Sequence, residues 1–121
     1  ALRLMVQPSR DAHVYCFHQD EHRRIRRFFP NRFQPDSRIR AEGGVQLPGS
    51  MPFEIVMNAR GVTESVTCLA TGTDVLDQLP PALAGKDFDV LRVASMDQLR
   101  DGFARASGGQ FVSETLVMRP R

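Results

Sequence analysis

Apolar and polar residues alternate along the first half of the chain, a period of two that is typical of strands with one buried face. The alternation predicts six strands, separated by clusters of proline, glycine, asparagine and aspartate. They span residues 2–7, 12–18, 23–29, 45–47, 53–58 and 62–71. Polar residues 19–22 predict a hairpin turn, and Ala59-Arg60-Gly61 predicts a second one. The strand over 12–18 is apolar on both faces, so we expect it at the centre of a sheet.

After Thr71, apolar residues recur at helical spacing. Thr73 and Asp74 predict the N-cap of a short amphipathic turn over 75–79, which two prolines end. A longer helix is predicted from residue 95 to about 106, because its apolar residues lie three and four positions apart between a serine cap and two glycines. The residues that define it are Ser95, Met96, Leu99, Phe103, Gly108 and Gly109. Further strands are predicted at 88–93 and 111–118.

Seven or so short strands with one late helix predict a mainly β protein, an antiparallel β-sandwich that is immunoglobulin-like or similar. The alternation of strands and helices that builds a parallel sheet is missing, which argues against a doubly wound nucleotide-binding fold. No internal repeat or linker-like change of composition divides the chain, so we interpret residues 1–121 as one domain. Because the chain begins at Ala1 rather than methionine, we expect it to be excised from a larger protein.

Composition is that of an ordinary folded domain, with 121 residues, 41% hydrophobic and 25% charged. No apolar run approaches the roughly 18 residues of a membrane span, so none is predicted. The net charge of +2 is weak evidence for nucleic-acid binding. Lys86 is the single lysine among 16 basic residues. A GC-rich coding sequence and selection for bidentate anion recognition by arginine both account for this bias.

Residues 22–33 combine five arginines with three phenylalanines and form the most unusual stretch of the sequence. On a regular strand, Arg27 and Phe29 would share one face and Arg26 and Phe28 the other. Arginine beside aromatic residues suits an interface with a protein or an anionic envelope ligand, and it also suits phosphate contact and base stacking. The alternative is an edge strand whose charges block aggregation. The candidate binding residues are Arg23, Arg24, Arg26, Arg27, Phe29, Asn31 and Arg32.

Sequence motifs for catalysis and metal binding are missing. Strand alternation places His13 and His18 on opposite faces, so we expect no metal site. The carboxylates are scattered, and no Gly-x-Ser-x-Gly elbow offers a serine nucleophile. Arg23 and Arg27 have the spacing of a PilZ-type cyclic-dinucleotide receptor, but the second element of that motif is missing. We therefore predict no catalytic residue, no cofactor and no enzymatic activity. A nucleotide or nucleic-acid binding domain and a small enzyme domain are the alternatives.

The two cysteines, Cys16 and Cys68, both occupy positions of predicted strands that can face inward. Three interpretations are open at this point: two unrelated buried thiols, a disulfide between two strands, and a catalytic thiol. A disulfide would indicate an oxidising compartment such as the periplasm.

Several segments together resemble a known family. They are Tyr15-Cys16-Phe17, the run Arg27-Phe28-Phe29-Pro30-Asn31-Arg32-Phe33, Leu47-Pro48-Gly49, Phe53-Glu54-Ile55 and Glu64-Ser65-Val66-Thr67-Cys68-Leu69-Ala70-Thr71. From about Leu2 to Met118 the chain resembles an uncharacterised bacterial accessory domain. That domain occurs at the C-terminal end of larger proteins, attached to serine/threonine kinase, caspase-like peptidase or curli-transport-like lipoprotein modules. The resemblance implies a non-catalytic interaction or sensor role beside those modules.

The resemblance also bears on the cysteines and on location. The Tyr-Cys and Thr-Cys pairs look like a recurring feature of that family, which favours the disulfide between Cys16 and Cys68. We accordingly favour a periplasmic or cell-envelope location in a bacterium, with the cytoplasm as the alternative.

The Phe-Pro-Asn element has a structural interpretation of its own. Phe28 or Phe29 can anchor the end of the strand in the core, and Pro30 fixes the exit angle of the chain. Asn31 can accept hydrogen bonds from nearby backbone amides in an Asx-turn. We therefore expect a structural corner here first and a binding site second.

Overall fold

The computed structural model describes residues 2–57 and 64–118, which contain seven strands in two antiparallel sheets. The strands are β1 (Leu4–Val6), β2 (Ala12–Gln19), β3 (Ile25–Phe29), β4 (Arg38–Ile39), β5 (Val45–Leu47), β6 (Glu64–Thr71) and β7 (Phe111–Met118). β1 pairs with β5 in a small sheet. The larger sheet has the order β3-β2-β6-β7, and β4 also pairs with β2.

Three helical segments lie between β6 and β7. They are a 3₁₀ turn (Leu76–Gln78), the short helix α1 (Pro81–Ala84) and the longer helix α2 (Met96–Ser107). The ends of α2 are as predicted: the Ser95 hydroxyl accepts a hydrogen bond from the Gln98 amide at 3.1 Å, and Gly108 ends the helix with φ of 64°. No helix in the described part of the chain is long and apolar enough to cross a membrane.

β2 is the central strand, as the apolar residues on both of its faces predicted. Tyr15 and Phe17 face one side and pack with Phe103 of α2, at ring-centroid distances of 5.0 Å and 5.9 Å. Val14 and Cys16 face the other side, where they pack in a second core with residues of β5. The larger sheet therefore lies between α2 and the small sheet, with an apolar core on each face.

A bulge in β3 changes which residues of the arginine-rich strand share a face, so the predicted faces are wrong beyond Arg27. Cys16 pairs with Phe29 and Phe17 pairs with Arg27, so Phe28 is an extra residue on β3. Because of this extra residue, Phe28 and Phe29 both pack in the core beside the small sheet. Arg27 instead lies on the side of the sheet that α1 and α2 cover.

Two predicted strands are wrong. In 53–58, Ile55 forms one isolated bridge with Leu2, and position 58 lies outside the described residues. Phe53, Ile55 and Met57 are more buried than the residues between them, as the alternation predicted, but within 53–57 the structure shows no continuous ladder. The predicted turn at 59–61 also lies outside the described residues. The strand expected to follow that turn, β6, pairs with β2 and β7.

The segment 88–93 contributes a single bridge, between Val90 and Arg26. Phe88 has φ of 66°, which is incompatible with an extended strand. The mainly β class and the late helix are confirmed, whereas an immunoglobulin-like sandwich is not. The second sheet has two strands of three residues each, and helices cover the opposite face of the larger sheet.

Candidate interaction surface

Asp20 organises the turn between β2 and β3. Its Oδ1 accepts hydrogen bonds from the backbone amides of His22 and Arg24, at 2.8 Å and 2.9 Å. Its Oδ2 accepts from Nε of Arg24 at 3.1 Å and from Nη1 of Arg26 at 2.9 Å. Burial raises the pKa of Asp20, but these hydrogen bonds outweigh it and hold the pKa well below its ordinary value. Two of the candidate arginines thereby share the single negative charge of an aspartate that the sequence pattern did not single out.

Arg27 is a buried structural residue. Its Nε donates to the carbonyl of Pro30 at 3.1 Å, and Nη1 donates to the carbonyl of Ala84 at the end of α1. Burial lowers the pKa of Arg27, and the nearby carboxylate of Asp87 partly opposes that shift. The guanidinium thus ties β3 to the end of α1 and is not displayed to solvent.

Asn31 forms the predicted corner. Its Oδ1 accepts hydrogen bonds from the amides of Phe33 and Gln34, at 2.8 Å and 2.9 Å, and its Nδ2 donates to the carbonyl of Phe28 at 2.8 Å. Phe29 is fully buried, and the peptide bond between Phe29 and Pro30 is cis. The Asx-turn and the anchoring role of the phenylalanines are therefore confirmed.

Arg32 is exposed but held in place. Its Nε and Nη2 donate to the two oxygens of Asp87 at 3.1 Å and 3.2 Å, and its backbone amide donates to Oδ2 at 2.7 Å. Hydrogen bonding by the Arg32 side chain lowers the pKa of Asp87, although burial opposes the shift. The guanidinium carbon also lies 5.6 Å from the centre of the Phe88 ring, within the range of a cation–π contact.

Three phenylalanines that are distant in sequence meet beside Arg32, and we call Phe33, Phe53 and Phe88 the aromatic cluster. The ring centroids of Phe53 and Phe88 are 5.1 Å apart, and Phe33 lies 6.5 Å from Phe53 and 6.3 Å from Phe88. Phe33 is 44% exposed, and the other two rings are half-buried. Sequence reasoning identified the run that contains Phe33, but no local signal linked it to the other two.

The outer edge of β3 is partly covered. The amide of Phe88 donates to the carbonyl of Arg27, and the amide of Leu91 donates to the carbonyl of Ile25, each at 2.8 Å. Covering an edge with a loop is one way to prevent edge-to-edge pairing. Protection of a bare edge strand is therefore a weaker explanation for the arginines of β3.

The seven candidate residues divide into two groups by burial. Arg27, Phe29 and Asn31 are buried, whereas the remaining four are exposed or partly exposed. The latter are Arg23, Arg24, Arg26 and Arg32. Arg24 and Arg26 pair with Asp20 at the start of β3, whereas Arg32 follows the strand and pairs with Asp87, so these arginines belong to two separate ion-pair groups. Binding by these residues stays a prediction.

The cysteines are joined in a disulfide between β2 and β6. Cys16 and Cys68 lie directly opposite each other in the ladder, with Cα atoms 4.1 Å apart. Of the three open interpretations, the structure supports the interstrand disulfide. Disulfides persist in oxidising compartments, so this bond is consistent with a location outside the cytoplasm.

The histidines do not converge on a common site. His13 Nδ1 lies 2.8 Å from the Ser37 hydroxyl, whereas His18 Nε2 lies 3.1 Å from Glu64 Oε1. Within residues 2–57 and 64–118, no group of three or more His, Cys, Asp or Glu side chains is arranged to hold a metal ion.

Comparison with models of protein families identifies the family of this chain. The model of the family described as Domain of unknown function (DUF4384) matches residues 1–74, and the chain belongs to that family. The matched segment covers β1 to β6, including both cysteines and the Phe-Pro-Asn corner, whereas α1, α2 and β7 lie beyond it. No curated protein and no solved structure matches the chain.

Proposed function

We propose that this chain is a non-catalytic interaction module of a larger bacterial envelope protein, and that it binds a protein partner through the aromatic cluster and Arg32. The observation that carries the proposal is the partly exposed group of three phenylalanine rings beside an arginine that is already fixed. Aromatic residues and arginine are enriched at the energetic centres of protein interfaces.

The rigidity of this surface supports the proposal. Arg32 is held by two side-chain hydrogen bonds to Asp87, so little side-chain entropy is lost when a partner covers it. Phe88 has φ of 66°, an unusual conformation for a bulky residue, and strained backbone is more common at functional sites than elsewhere. Both features favour a preformed contact surface.

An anionic envelope ligand is the second candidate for the same module. Its support is the group of arginines near the start of β3. Arg24 and Arg26 already share the carboxylate of Asp20, however, so the charge available to a ligand is smaller than the sequence suggests. The same argument reduces the support for a nucleotide or nucleic acid. A protein partner is favoured for this reason, and the interstrand disulfide supports a periplasmic or envelope location.

The proposal is tested by site-specific photocrosslinking in the native host, with the full-length parent protein. A photoreactive phenylalanine analogue at position 33 is expected to give a discrete crosslinked protein species. The matched control is the same analogue at Val112, which is 69% exposed on β7, away from the aromatic cluster. Crosslinks at 112 but not at 33, or at neither position, would overturn the proposed surface.

A substitution at position 33 checks the same surface when the photoreactive analogue is placed at a second position. Phe33→Ser should abolish the crosslinked complex formed through a second position on the cluster, Phe53. Because Phe33 is 44% exposed, we expect the free energy of unfolding to change by about 1 kcal/mol or less. A different result would favour an anionic ligand over a protein partner. In that case no protein crosslink forms, the domain binds phosphatidylglycerol vesicles, and Arg23→Ser weakens that binding.

A further inference from the structure

The two cysteines of the disulfide differ in their exposure. Cys16 is completely buried, at 0% exposure, whereas Cys68 is half-buried. Cys68 lines an open groove of about 1240 Å³ that extends from β1 to the face of β6 and β7. The groove therefore offers a small thiol in solution a route to Cys68, whereas Cys16 is closed to solvent.

Hydrogen bonding along the ladder aligns the two strands that the disulfide joins. β2 and β6 pair without interruption from His13–Thr71 to Gln19–Ser65. Each strand also has a second neighbour in the sheet, and both faces of β2 are covered by an apolar core. We therefore expect the sheet to persist when the bond is cleaved, which would allow the folded protein to alternate between two redox states.

From this accessibility we propose that Cys68 is a site of thiol–disulfide exchange with external thiols. The thiolate of the incoming molecule attacks Sγ of Cys68 and forms a mixed disulfide with it. The bond between Cys16 and Cys68 breaks, and the Cys16 sulfur receives the electron pair and then a proton from water. A second thiol attacks the incoming sulfur of the mixed disulfide. That step releases Cys68 as a thiol and the two external thiols as their own disulfide.

The position of β7 determines which thiols react fastest. Attack is in line with the breaking bond, and Cys16 lies on β2 while β7 lies on the other side of β6. The nucleophile must therefore approach Cys68 over β7. Glu114 pairs directly with Cys68 there and its side chain is exposed. Its carboxylate repels an anionic thiol and attracts a cationic one.

The test uses the oxidised, folded chain with reduced glutathione, which is anionic, and cysteamine, which is cationic. Peptide mapping of acid-quenched samples should locate the mixed disulfide on Cys68 and not on Cys16, while the circular dichroism spectrum stays that of the folded protein. In Glu114→Gln, the rate with glutathione should rise and the rate with cysteamine should fall, each by roughly two- to threefold. Asp101→Asn, an exposed position on α2 at the opposite face of the sheet, should change neither rate.

Three results would overturn the proposal. One is an adduct on Cys16. Another is exchange that proceeds only at the rate of global unfolding, measured in parallel by hydrogen exchange. The third is a Glu114→Gln variant in which both thiols change in the same direction or neither changes, because the carboxylate would then not act through its charge on the approaching thiol.

Discussion

Asp20 illustrates how one buried carboxylate determines the shape of a hairpin. It accepts four hydrogen bonds from residues at most six positions away, two from backbone amides and two from arginine side chains. Replacement of Asp20 by asparagine keeps one acceptor oxygen but removes the other, together with the negative charge. The turn between β2 and β3 is therefore organised by one carboxylate that binds both the backbone of the turn and two of its arginines.

Asp20→Asn should lower the free energy of unfolding at pH 7 by roughly 1–3 kcal/mol, because a charged acceptor is lost. The pKa of Asp20 in the folded protein lies below its ordinary value of about 3.9 in an unfolded chain. Its contribution is therefore complete above about pH 5, about one pH unit above the unfolded pKa, and is lost as the pH falls through the folded pKa.

Urea unfolding at pH 7 and pH 3 checks this prediction for Asp20. The difference between the wild-type protein and Asp20→Asn should be constant between pH 5 and 7 and smaller at pH 3. A difference that is the same at both pH values would show that the carboxylate acts through its shape and not through its charge.

Residues whose partners are local could be predicted from the sequence, and those with distant partners could not. Asn31 and Ser95 bond to backbone groups two or three positions away, so their residue type and flanking pattern indicated their roles. Arg27 bonds to Ala84, 57 positions away, and Arg32 bonds to Asp87, 55 positions away. Both arginines therefore looked available for binding until the fold brought those partners to them.

At the scale of elements, periodicity predicted the longer paired strands and the long helix but missed β4, whose two residues are too few to show a period. β2, β5, β7 and α2 lie where the pattern placed them. The segments 53–58 and 88–93 have apolar residues of the right kind, but their phenylalanines pack ring against ring in the aromatic cluster instead of extending a ladder. Strand pairing depends on residues far away in the chain, and a local pattern does not contain that information.

Gly102 of α2 makes the packing of the two helices testable. A Cβ atom at this position would lie 2.1 Å from Cδ1 of Leu83 in α1, and Leu83 is buried. In an exposed helix, Gly→Ala normally stabilises by about 1 kcal/mol. Here we expect Gly102→Ala to destabilise by roughly 1–3 kcal/mol, because the buried leucine has to move.

A double-mutant cycle identifies the clash at Gly102. In a Leu83→Ala background, Gly102→Ala should be neutral or stabilising, since the methyl group that it meets is gone. Asp101→Ala, at the exposed neighbouring position, should change the stability by about 0.5 kcal/mol or less. Equal destabilisation by Gly102→Ala in both backgrounds, measured by guanidinium unfolding, would rule out contact with Leu83 as the cause.

For the molecule as a whole, the sequence indicated a mainly β protein with a central strand and a late helix, but not how its layers are arranged. Apolar residues on both faces of β2 required a cover on each side, and nothing in the pattern specified a helix for one side and a small sheet for the other. The pairing of Cys16 with Cys68 likewise depended on the strand register. Once β2 and β6 are neighbours in that register, the two cysteines are directly opposite.

The disulfide should also contribute to the stability of the whole domain, because it links residues 52 positions apart. Closing a loop of that length in the unfolded chain corresponds to about 4 kcal/mol in the chain-entropy model. We therefore expect dithiothreitol to lower the free energy of unfolding of the wild-type protein by roughly 2–4 kcal/mol without changing its folded circular dichroism spectrum.

Comparing the oxidised and reduced forms of one sequence avoids the cavity that a cysteine substitution would leave. The control is Cys16→Ala/Cys68→Ala, whose unfolding transition should not respond to dithiothreitol. The dependence of unfolding on guanidinium should become steeper on reduction, because an unfolded chain without the cross-link exposes more surface. Loss of the folded spectrum on reduction would contradict the prediction, since it would mean that the two cores and the β2–β6 ladder do not hold the sheet together without the covalent bond.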